Sequence, residues 1–97
     1  MTLQKDFENS KVFDENIRIV LLDDIDIQLT ESSVNRILHF IHKSNYLQIL
    51  YMYHEPVICK LLNHFTEVED YDQCILIRDT VKNHNKATGD NIILQTD

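Results

Sequence analysis

Five histidines and two cysteines are the side chains best equipped for chemistry in this sequence of 97 residues. His39 and His42 stand three apart, a spacing that puts both on one side of a helix. A zinc ion held there would need further ligands, for which His54, Glu55, Cys59, His64 and Cys74 are available. None of these forms a Cys-x-x-Cys or His-Glu-x-x-His pattern, so no metal and no cofactor is expected. Both histidines also flank an apolar stripe, the usual place of a solvated boundary histidine.

A cysteine nucleophile needs a base and an orienting group beside a thiol of lowered pKa. Cys74 falls on an apolar stripe, where a thiol behaves as a small hydrophobe. Cys59, close to a helix start, has only His54 in its favour. Gly89 is the sole glycine, so no Gly-rich phosphate cradle can be built. Asp23, Asp24 and Asp26 could hold magnesium or move protons. Asp23, however, falls on the apolar side of an alternating segment, which marks a bulge or strand break. Glu67, Glu69, Asp70 and Asp72 cap and precede a helix, where negative charge complements the dipole. The expectation is a protein without catalytic residues, not an enzyme.

Composition narrows the partners. A hydrophobic share of 43% is enough to fold one small core. The formal charge of −7, with nine basic residues scattered singly, opposes binding to a phosphate backbone. No nucleic-acid partner is expected. The longest apolar run, Leu47 to Tyr53, is too short to span a bilayer, and no membrane partner is expected either. The start of the sequence lacks a basic segment followed by an apolar one, so no secretory signal is expected. Two reduced thiols in a cytoplasmic setting, or alternatively in a virion, follow from that.

The elements that would position these residues are then read from periodicity. Residues 1–10 are expected to form a loose arm. Val12-Phe13 before Asp14-Glu15-Asn16 suggests a short hairpin. Ile17, Ile19 and Leu21 share one parity with Ile25, Ile27 and Leu29, which predicts a strand region over 11–29, as one bent strand or two. Thr30 is a candidate N-cap for a helix over 31–43, whose stripe is Val34, Ile37, Leu38 and Ile41. Tyr46 to Tyr53 is apolar without a clear period, and helix and core strand stay equally open. A new helix is expected near Glu55 or Pro56, where a proline suits the first turn. A further helix over about 70–83 carries Tyr71, Cys74, Ile75, Ile77 and Val81 on its buried side. Residues 85–97 are a turn and tail, in which Ile92 to Leu94 could add a last strand. The chain is expected to be one domain of α+β class, with short N-terminal strands and three to four helices ending in an antiparallel hairpin over 55–84.

Within that hairpin, Ile58 and Leu62 are followed by Asp70-Tyr71-Asp72, then Ile77-Arg78-Asp79 and Val81. Residues 58–82 on that pattern resemble the UVR motif, a helical hairpin of excision-repair nuclease subunits and Clp protease adaptors. Cys74-Ile75 and Phe65 depart from it, since the family places small residues there, and these larger side chains should spread the hairpin. The resemblance implies association with a protein partner or with a second copy through apolar faces, and no chemistry; the other reading of the same stripe is a structural hairpin inside the fold, covered by the Val34–Ile41 helix. Ile58, Leu62, Phe65, Tyr71, Ile77 and Val81 would supply apolar contact, with Arg78 giving register through a carboxylate. The function expected is a small intracellular adaptor or regulatory subunit. Alternatives are a structural subunit of a phage or virus particle, possible as a homo-oligomer, and an acidic mimic of nucleic acid.

Overall fold

In a computed structural model of the chain, residues 15–23 and 27–94 are described, and every regular element among them is a helix. Helix α1 covers residues 15–22, α2 is Glu31–His42, α3 is Tyr46–Glu67 and α4 is Tyr71–Thr88. The expected α+β class with N-terminal strands is therefore corrected to all-α. The parity of Ile17, Ile19 and Leu21 misled because positions four apart satisfy both periods. Ile17 and Leu21 are buried, as a strand or a helix would have them, but Ile19 is 63% exposed. Only a helix turns the middle residue of such a trio outward. Ile27 and Leu29 pack on the core with Gln28 outward, so alternation survives there without a ladder partner. The expected loose arm lies outside the described residues, as do Asp14, Asp24 and Asp26; Glu15 and Asn16, expected in a hairpin turn, begin α1, and Asp23, expected to break a strand, is the turn that ends it.

Local chemistry sets the helix ends. Thr30 Oγ1 accepts from the Ser33 amide at 3.2 Å, and Asn45 Oδ1 accepts from the Gln48 amide at 3.3 Å. Two helices close through left-handed residues, Ser44 after α2 and Glu69 after the α3 end. In each case the following amide reaches back to a carbonyl five residues earlier, Asn45 to Phe40 at 2.8 Å and Asp70 to Phe65 at 2.9 Å. That closure is the Schellman arrangement. Asp70 holds the N-cap position of α4 without a side-chain capping bond, so its contribution there is charge near the dipole.

Helix α3 is not one rod. Residues 46 and 65 of an unbroken helix would stand about 28 Å apart at the α-helical rise. The rings of Tyr46 and Phe65 instead meet edge to face with centroids 6.4 Å apart. The chain doubles back at His54, whose φ of 66° and ψ of −172° are non-helical. Residues 46–53 form a first arm and 55–67 a second, with Pro56 in the first turn of the latter. The apolar segment left open between helix and strand is thus the first arm of an internal helical hairpin.

One core joins these pieces. Ile17 and Leu21 from α1, Val34, Ile37 and Ile41 from α2, and Ile49, Leu61, Phe65, Ile77 and Val81 from the rest are all buried together. Arg18 reaches across to Asn35 and Glu31 and ties α1 to α2 at the surface. The tail over 91–94 has no regular structure and contains no strand, correcting the expectation for Ile92 to Leu94.

Candidate functional site

The hairpin stripe expected to face a partner is the centre of the core. Ile58, Leu62, Phe65 and Ile77 are 0% exposed, and Val81 and Cys74 are buried with them. The layer that the two helices need is supplied by the first arm of α3, whose Tyr46, Ile49 and Leu50 belong to the same cluster. Tyr46 is buried with its hydroxyl donated to Gln73 Oε1 on α4. Burial, with Asp70 and Cys74 nearby, pushes the Tyr46 phenol well above its ordinary value, so it stays a donor. Of the seven residues singled out, only Tyr71 and Arg78 lie on the surface. Ile75 is exposed too, pointing away from the second arm, so it does not spread the hairpin as expected.

The side chains weighed for chemistry are scattered. Neither Cys59 nor Cys74 is in a disulfide; Cys74 is buried, its sulfur 3.5 Å from Thr66 Oγ1. That hydroxyl already donates to the Leu62 carbonyl at 2.7 Å, so the thiol is the donor of the pair. Cys59 and His64 both line a cleft of about 550 Å³ with Val20, Ile27, Asn63 and Glu67. Burial pushes the His64 imidazole below the ordinary histidine range, with Glu67 acting weakly against it. His39 and His42 are exposed. Among the described residues, no three metal-binding side chains come together.

What the surface does carry is apolar area outside the hairpin stripe. Leu47 and Tyr51 stand one turn apart on the outer side of the first arm of α3, and Tyr51 is 57% exposed. Across from them, Thr80, Asn83, His84 and Ala87 of α4 complete a groove of about 320 Å³. Leu76, also exposed, extends the α4 side by one turn, so that 76, 80, 83 and 87 follow each other at spacings of four, three and four. The Tyr51 and His84 rings close the groove floor edge to face at 5.7 Å. The signal for this surface was the open segment 46–53. Its burying face, Tyr46, Ile49 and Leu50, leaves Leu47 and Tyr51 on the other side once it is a helix.

No helix among the described residues is long and apolar enough to cross a membrane. Comparison with protein-family models, with curated proteins and with solved structures gives no match to this chain.

Proposed function

We propose that this protein is a non-enzymatic interaction module that takes an amphipathic helix into the groove between the first arm of α3 and α4. The observation that carries the reading is that Leu47 and Tyr51 are exposed within a groove, with exposed Leu76 one turn beyond its α4 wall, whereas the other exposed apolar side chains, such as Ile19, Val68 and Ile93, line no part of it. A helix-in-groove contact uses apolar anchors at successive turns. The α4 wall offers small residues, Thr80 and Ala87, at the spacing that lets a third helix approach. The UVR-like run of residues 58–82 supports association in general. Its buried stripe leaves the outer groove as the surface for contact.

The test is affinity capture from the source cells with wild-type protein and with the double variant Leu47→Asp, Leu76→Asp, captured proteins being identified by mass spectrometry. Neither residue is in the core, so circular dichroism should be unchanged. The variant should lose a specific partner by roughly tenfold or more, the scale of interface anchors. Equal capture by both proteins would refute the groove as the contact. Sedimentation of the wild type distinguishes self-association, which the same substitutions should dissolve.

A further inference from the structure

The C-terminal tail is held to the body by side chains, in a manner that resembles a bound peptide more than a continuing fold. Helix α4 stops at Gly89, whose φ of 77° is open to glycine and meets nothing where a Cβ would stand. The chain then runs past α4 in an alternating pattern: Ile92 and Leu94 pack on the core, while Asn91 and Ile93 face outward. Asn85 grips the backbone of Ile92 from both sides. Its Nδ2 donates to the Ile92 carbonyl at 2.9 Å, and its Oδ1 accepts from the Ile92 amide at 3.1 Å. The preceding residue on the same helix, His84, meets Asp90 Oδ2 through its Nε2 at 2.9 Å. Residues 90, 92 and 94 are therefore the three that the body reads, an acid, an isoleucine and a leucine at alternate positions.

A primary amide that satisfies both polar groups of one extended residue recognises backbone and is blind to which chain supplies it. The sequence preference comes from alternate side-chain pockets, as in other extended-peptide recognition. Room remains beside Ile92, in a cavity of about 330 Å³ lined also by Leu50, Tyr51, His54, Glu55 and His84. We infer that the His54 corner and the second half of α4 form a recognition site for an extended peptide. That peptide carries an acidic residue followed at alternate positions by two aliphatic ones, and residues 90–94 occupy the site in cis until it competes. The site shares Tyr51 and His84 with the helix-binding groove, but Asn85, whose two bonds carry the inference, is not among the residues that line that groove.

The test is a titration of the ¹⁵N-labelled full-length chain with an acetylated synthetic peptide of residues 89–94, followed by chemical shifts. In the Ile92→Asp chain the tail is unseated, and the peptide should cause saturable shifts at the Asn85 side-chain amide, His84 and Leu50. A short tether gives the cis tail an effective concentration on the order of millimolar, so titration should run to about 5 mM. Wild type should need at least tenfold more peptide for the same shifts. Adding Asn85→Ala to the Ile92→Asp chain should abolish them. If Ile92→Asp proved poorly folded, the pair Asp90→Asn, Ile92→Ala loosens the tail with less disturbance and serves identically. Absence of saturable shifts in a folded, unseated chain overturns the inference, as does equal binding to wild type. A wild-type dimer that Asn85→Ala breaks would seat a second copy's tail in the site and overturn the cis arrangement.

Discussion

His54 concentrates what a single residue decides in this molecule. Its backbone sits where φ is positive and ψ near extended, a region that glycine occupies freely and other residues occupy under strain of about 1–3 kcal/mol. The side chain is exposed, so burial gives no return for that strain. Replacing it by glycine also loosens the unfolded chain, which offsets part of the relief. His54→Gly is expected to raise stability by about 1 kcal/mol, seen as a higher urea midpoint with unchanged slope. A lower midpoint would show that the reversal depends on the imidazole. Ser44 and Glu69 are left-handed as well, but at helix ends, where such a residue is a normal terminator.

At the scale of elements, the distinction between stripe and surface on α4 is the one with measurable weight. Ile77 is enclosed, so Ile77→Ala should destabilise by about 2–5 kcal/mol, a large share of what a small domain has. Tyr71, 57% exposed, should lose no more than about 0.5 kcal/mol as Tyr71→Ala. Thermal unfolding of the two variants tests the pair, and similar losses would contradict the packing. By the same reasoning Ile77→Asp reports on folding and says nothing about a partner. Much of this was legible in the chain: Thr30 as a cap, Val34, Ile37 and Ile41 as a stripe, Pro56 as a start and Cys74, Ile77 and Val81 as a buried face, although Tyr71 and Ile75, expected on that face, are exposed. The α1 helix was not, because Ile17 and Leu21 are shared by both periodicities and only tertiary burial separates them. The first arm of α3 was not, because a segment apolar on most sides has no period. The surface reading failed for a related reason: periodicity tells which side of a helix is apolar, not whether the rest of the chain covers it.

For the whole molecule, two buried titratable groups bound the pH range of stability from opposite sides. His64 has its folded value below the unfolded one. Below about 6.5, the ordinary histidine value, the unfolded chain therefore binds more protons, and stability falls as pH drops through the interval to the lowered value. Tyr46 has its folded value above the unfolded one, so stability is complete below about 10 and declines as pH climbs past it. Stability measured by urea unfolding between acid and alkaline pH should be broadest in the neutral range. His64→Gln should flatten the acid limb and Tyr46→Phe the alkaline one, and a limb unmoved by its substitution would assign the loss to other groups.

The reversal at His54 also bears on how the chain reaches this state. It brings Tyr46 beside Phe65 and Gln73, and Tyr51 beside His84, neighbours that lie 19, 27 and 33 residues apart along the chain. The closure cost of such loops has to be met before their contacts form, which slows assembly relative to nearer pairings. Arg18 meets Glu31 and Asn35 across only 13 and 17 residues, so α1 and α2 are expected to find each other before the arms and α4 close into the final state.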